Sequence, residues 1–321
     1  EIQSVAMYAL ASYHRNSPRS AEAGAKYFIL GAFASAIFVY GVALLYGATG
    51  STNFAEIGAA LSRSLSGDAG TALSRAAEQG ILTAAAGIVP DGPAGLENLN
   101  GVSPHVPMAA IGLLLVVVAF AVKIAAAPFH MWAPDAYTGA PTPVVGFMAA
   151  AAKAAGVGAL VRVLALGFFD PALRMGPYGW VQILFWIALI SMVVGNLVAI
   201  SQTNVKRMLA YSSVAHAGYL LVAVVAMGHG AGDISRASGT VFYAFAYTFG
   251  TVGAFGVLAY LGKRGVEAER FDDLNGVGFK YPWLAACMTI FMLSSAGIPP
   301  TAGFMGKFML FGAAVDAGLT W

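Results

Sequence analysis

Long apolar runs separated by short polar turns dominate the chain, and their length sorts them. About twenty apolar residues cross a bilayer as a helix at about 1.5 Å per residue. Residues 24–46, 107–137, 144–169, 180–200, 208–227 and 241–261 predict spans, residues 1–13 a helix entered part-way, and a last span begins near Tyr281 and resumes as MGKFMLFGAAV. That makes eight spans. The connection over 47–106 is rich in Gly, Ser and acidic residues, and its segments FAEIGAALSR and TALSRAAEQGILTAAAGIV read as interfacial. The fold class is therefore an all-α polytopic membrane protein, with residues 1–321 as one transmembrane domain.

Two spans are interrupted. PMAAIGLLLVVVAFAVKIAAAPFHMWAPDAY breaks at Pro128, and the last span breaks at SSAGIPPTAGF. Proline removes a backbone donor, and a broken helix survives at membrane depth only where protein or water satisfies the freed groups. Each break has a lysine beside it, Lys123 before the first and Lys307 after the second. Since the two cross in opposite directions, they point to inverted repeats with a site near the midplane. The reversed order of lysine and break is expected to be a product of that inversion.

Composition agrees: 59% of residues are hydrophobic and 10% charged, which is not a soluble domain. The formal balance of +2 carries little information. A single cysteine, Cys287, excludes an internal disulfide, an iron–sulfur cluster or a Cys-rich zinc site built from this chain alone, so redox chemistry is expected elsewhere. The chain opens on a glutamate with no visible signal peptide, and both ends are expected to be cut. Loop charge orients the bundle. Arg15, Arg19, Lys206, Arg207, Lys263, Arg264, Arg270 and Lys280 fall on one side, expected to be cytoplasmic, and Arg63, Arg75, Arg174 and Arg236 on the other.

Charges inside the spans carry the candidate chemistry. A lysine at the bilayer centre costs about 2.5–3.5 kcal/mol on insertion scales, so Lys123, Lys153 (in AAAAKAAGVG) and Lys307 are functional candidates. Desolvation lowers a lysine's pKa and a nearby carboxylate raises it, so a site whose pairing changes can bind and release a proton. Glu1, roughly 20 Å below the surface if its helix exits near His14, is the carboxylate expected to modulate Lys123. His130 after the break and His216 in AYSSVAHAG are candidate relays, with satisfied packing as the alternative. Asp135 is expected to cap its turn, and Arg162 to be an interfacial anchor. No histidine spacing suits a metal, no glycine-rich loop cradles phosphate, and no Ser, His and Asp arrangement has supporting context.

With EIQSVAMYALASYHR, SAEAGAKYFILGAFASA, KIAAAPFHMWAPDAYTGAPTPV, QTNVKRMLAYSSVAHAGYLL and GIPPTAGFMGKFMLF in hand, the chain resembles the antiporter-like membrane subunits of proton-pumping NADH:quinone oxidoreductase, respiratory complex I. The motifs cover nearly everything outside the long connection, in order. The resemblance implies the fifth through twelfth of about fourteen helices, arranged as inverted five-helix repeats. It implies that the family's buried charged set falls on Glu1, Lys123, Lys153 and Lys307. Lysine in GFMGKF resembles one branch of the family more than the branch with glutamate there. No cofactor is implied in this chain; NADH, FMN, iron–sulfur clusters and quinone belong to partner subunits of the membrane complex. Partners would be other membrane-arm subunits including neighbouring antiporter-like ones, lipid, protons and water, and no nucleic acid. The expected location is the bacterial plasma membrane, with the mitochondrial inner membrane as alternative. Two other readings share these residues: a multisubunit cation/proton antiporter, and a structural scaffold with frozen ion pairs.

Overall fold

The computed structural model describes residues 2–64, 105–175, 179–229, 232–262 and 269–319. Glu1, Arg75, Lys263, Arg264 and the segment TALSRAAEQGILTAAAGIV lie outside the described residues. The helices are α1 (Ile2–Ala11), α2 (Pro18–Thr49), α3 (54–64), α4 (His105–Lys123), α5 (Trp132–Gly139), α6 (Thr142–Gly167) and α7 (Pro171–Met175), then α8 (Trp180–Ile200), α9 (Val205–Gly228), α10 (Ser238–Leu261), α11 (Val277–Lys280), α12 (Pro282–Ala296) and α13 (Ala302–Asp316). Their starts follow from local chemistry. Ser17 caps α2 ahead of Pro18, Asn204 accepts from the Arg207 N–H at 3.0 Å to cap α9, and Thr301 caps α13.

The most apolar helices are the outer ones, the reverse of a water-soluble bundle. Within its most apolar stretch α9 is 72% buried, whereas α2 is 22% buried and shows Ile29, Phe33 and Val39 outward. α9 runs through the middle, packed by α5, α8, α10 and α13. Close approach depends on small residues: a Cβ on Gly112 of α4 would stand 2.9 Å from the Gly41 carbonyl of α2. The loops sort to two ends as loop charge predicts. At one end Arg19 meets Glu269 at 3.8 Å and Asn204 pairs with Arg270; at the other Ser62 donates to Asp170 at 2.8 Å and Arg236 to the Asp316 carbonyl at 3.3 Å.

The two interruptions are built alike. At the first, Ala125 has a left-handed φ of 54° and the Ala126 N–H reaches back to the Ala121 carbonyl at 2.9 Å; at the second, Gly297 has φ 83° and the Ile298 N–H reaches the Leu293 carbonyl at 3.1 Å. Both are helix stops in which a left-handed residue turns the chain and a six-to-one bond closes the last turn. A proline follows three residues later in each case, Pro128 and Pro300. α2 lies along both halves of the first broken helix, and α10 along both halves of the second, as two inverted repeats require.

That register corrects one expectation. Superposing Ala125 on Gly297 sets Lys123 opposite Ser295 and Lys307 opposite Asp135, so the lysines are not counterparts. An inverted repeat reverses the crossing direction but keeps the order of residues along the chain. FAEIGAALSR forms α3, which turns Ile57 and Leu61 into the core and packs Gly58 on the Leu166 carbonyl at the end of α6, while Ala55, Glu56, Ala59 and Arg63 stay exposed.

Candidate functional site

Lys123 is the last residue of α4, where the break begins, and its Nζ donates to Ser4 Oγ on α1 at 2.5 Å. The ammonium faces a cavity of ≈ 170 Å³ bounded by Tyr8, Tyr27 and Trp132, and by Ala152 and Gly156 of α6. With a water taking about 30 Å³ of liquid, that space holds a small cluster. The break beside it is closed by neutral groups. The Trp132 indole donates to the Val122 carbonyl at 2.9 Å, and the Ala127 N–H donates to Ser191 Oγ at 2.8 Å.

Lys153 is one turn of α6 from that cavity and only 1% exposed. Its Nζ donates to the Ser213 carbonyl of α9 at 2.5 Å and to Ser213 Oγ. The Tyr137 hydroxyl of α5 stands 3.4 Å from the same Oγ. Among the described residues no carboxylate pairs with Lys153. His130, on the linker between α4 and α5, has its ring against Tyr211 at 6.1 Å and lies within electrostatic reach of Lys153.

His216 is one turn beyond Ser213 on α9, buried among Tyr243, Tyr247 and Tyr219, with Nδ1 hydrogen-bonded to the Tyr243 hydroxyl. Lys153 and Lys307 both act on it electrostatically. Lys307 leaves α13 and donates to the last carbonyls of α12, Ser295 at 2.9 Å and Ala296 at 3.2 Å, with Nζ 4.6 Å from the Tyr219 ring centre. Helix C-termini favour cations, and aromatic faces do too. α9 therefore touches two lysine sites in succession, through Ser213 and through Tyr219.

All 321 residues match the transmembrane family described as NADH:quinone oxidoreductase/Mrp antiporter. The chain belongs to that family. Among similar proteins, NADH-quinone oxidoreductase subunit N 1 of Sorangium cellulosum is 46% identical over 319 residues, which are 99% of this chain and 56% of that protein. Subunit N of Trichlorobacter lovleyi is 44% identical over 321 residues, 100% of this chain and 56% of that protein. The chain thus spans just over half the length of the curated relatives it matches. A chain in the structure of respiratory complex I from Thermus thermophilus with bound aureothin is 35% identical, with a TM-score of 0.70 over 98% of this chain and 57% of that one.

In this member of the NADH:quinone oxidoreductase/Mrp antiporter family Lys153 lies within electrostatic reach of His130 and His216, and His216 within that of Lys307, with Lys123 on the cavity beside α6. Ser4 is the described α1 residue that meets Lys123. Asp135 does not cap its turn. It pairs with Lys26 at 2.7 Å, which also holds Glu22 at 2.6 Å, and with Arg207 at 3.7 Å, in a polar cluster at the Arg19 end of the bundle. Lys206, counted from the sequence as a loop charge, is fully buried and donates to the Ala140 carbonyl at 2.8 Å. A basic turn hides this, since nothing local says that the junction of α5 and α6 closes over it. Ser213, Tyr243 and Tyr247 were missed for a like reason: in an apolar helix a lone hydroxyl has no signature, and only the partner helix reveals its use. Arg162 is exposed on α6.

Proposed function

We propose that this chain is the core of a proton-translocating membrane-arm subunit of an NADH:quinone oxidoreductase of the bacterial plasma membrane, of the subunit N type. The proton path uses Glu1, Lys123, Lys153, Lys307, His130 and His216. What supports it best is Lys153, an ammonium buried to 1% exposure with oxygens of one serine as its hydrogen-bond partners and lysine sites on either side. Uncompensated charge at that depth is a cost that structural stability alone does not repay. Protons enter at the Arg19 end, load Lys153 under control of the Glu1 and Lys123 pair, and pass toward Lys307 and outward.

Coupling to the redox reaction is electrostatic. NADH oxidation and quinone reduction, with FMN and the iron–sulfur clusters, take place in partner subunits. Lysine in GFMGKF and the relatives' own names agree on the subunit N branch.

The test replaces Lys123 by Ala in the full-length protein within its assembled complex and measures proton pumping alongside electron transfer. Loss of pumping with the complex intact is expected. Unchanged pumping and electron transfer reject the role, and transport that requires sodium assigns the chain to a cation/proton antiporter instead.

A further inference from the structure

We propose that the hydroxyls of Ser213 and Tyr247 form the proton link from Lys153 to the Lys307 site, a role that rests on the translocation reading above. Among the described residues both hydrogen bonds of Lys153 end on Ser213. The Ser213 carbonyl can only accept, so a proton leaving Nζ through this residue must go by way of Oγ, which both accepts and donates.

Two tyrosines flank that oxygen. Tyr137 lies back toward α5, on the side of Lys123. Tyr247 lies forward, on α10, its buried hydroxyl beside those of Ser213 and Thr251. Burying a hydroxyl costs free energy that phenylalanine in the same space would avoid, so the oxygen is accounted for by what it does beside Ser213. Tyr247 also packs on the His216 ring, with centroids 4.9 Å apart. Both side chains line a void of ≈ 10 Å³ whose other wall is Ser294 and Ser295 of the second break. That is about the size for one water, and Tyr243, Tyr247, Ser294 and Ser295 are among the residues that line it. The Ser295 carbonyl on that wall is the one that holds Lys307. His216 is tied to Tyr243 through Nδ1, so it borders this route and is not a required stop on it.

The transfer balances without a co-reactant. An N–H bond of the Lys153 ammonium breaks as an O–H bond forms on Ser213; the serine's own proton moves to Tyr247, whose proton passes to a water in the void and on to the free amine of Lys307. Lys153 ends as an amine and Lys307 as an ammonium, and both hydroxyls are neutral again.

The experiment compares Tyr247→Phe, Ser213→Ala, Ser213→Thr and Lys153→Met in the full-length protein within its native membrane complex. It reads proton pumping into inverted vesicles per NADH oxidised, and the amount of complex on native gels. Tyr247→Phe and Ser213→Ala are expected to lose pumping to the level of Lys153→Met, with Ser213→Thr restoring it. Tyr247→Phe is decisive even if Ser213→Ala does not accumulate, because it deletes one oxygen and keeps the ring that packs on His216. Parental pumping by Tyr247→Phe, with Lys153→Met inactive, overturns the link and leaves the translocation reading standing. Parental pumping by Lys153→Met defeats the translocation reading itself.

Discussion

Replacing Lys153 by methionine separates a working charge from a structural one, because the two readings predict opposite signs for stability. Methionine keeps the length and most of the volume of lysine, so the packing of α6 on α9 survives. The variant loses two hydrogen bonds from an ammonium to Ser213, worth about 1.5–3 kcal/mol each at most. It also removes the penalty of holding a charge away from water, several kcal/mol per ion in protein interiors. Neither group left behind is stranded: Ser213 keeps Tyr137 beside its hydroxyl, and its carbonyl stays inside α9. The terms nearly cancel, and exchanges of buried charge for apolar side chains of similar volume run from neutral to about 1–4 kcal/mol stabilising. Thermal unfolding of the purified membrane protein should therefore give an unchanged or raised midpoint, while pumping is lost. A drop equivalent to about 3–5 kcal/mol, the cost of breaking a buried ion pair, would refute this reasoning and favour the scaffold reading.

Lys307→Met should act differently, lowering stability by about 1–3 kcal/mol, because the Ser295 and Ala296 carbonyls lose the ammonium that ends α12; faster amide exchange over residues 294–301 is the check. Gly112→Val forces a Cβ against the Gly41 carbonyl at 2.9 Å and Leu45 Cγ at 3.0 Å, and at about 1–3 kcal/mol for overpacking should show as a lower melting temperature and less assembled protein. Asp233, in the loop before α10, has its carboxyl held below the usual range by the Ser235 hydroxyl and by the Ser235 N–H at 2.9 Å. A depressed carboxyl contributes stability that is present above its unfolded pKa and lost as pH falls through the folded value. The difference in melting temperature between parent and Asp233→Asn should thus be constant near neutrality and shrink below about pH 4.

The spans were legible because lipid imposes one rule on every crossing: about twenty apolar residues with all backbone groups satisfied within the segment. Trp180–Ile200 is the same in both readings for that reason. Proline marked both breaks, yet α4 stops at Lys123, several residues ahead of Pro128, since the left-handed Ala125 does the turning. Alanine carries no sign of that conformation in sequence, whereas Gly297 does. The lysines were legible by their cost. Their partners were not, because Ser213, Ser4 and Tyr247 become informative only when helices distant in sequence are set side by side. Lys206 shows the limit from the other direction: two adjacent cations in QTNVKR look alike, and the fold buries one against Ala140 while Arg207 faces Asp135.

The contrast between the two breaks follows from who supplies the missing donors. A half-helix that ends inside the membrane leaves its last carbonyls without intrahelical partners. At the first break a tryptophan indole covers the Val122 carbonyl, and a serine hydroxyl takes the Ala127 N–H, so neutral groups complete the turn and the Lys123 side chain extends to the α1 cavity. At the second break the donor is Lys307 itself, so its charge and the geometry of the α12 terminus are coupled. An amine at Lys307 offers these carbonyls fewer and weaker donors than an ammonium does, and the linker from Gly297 to Thr301 must respond. Between the two stands Lys153, gripped by one serine of the central helix. Under the proposed translocation, a change of charge at the first site would leave the backbone in place, and one at the second would be felt at the end of α12.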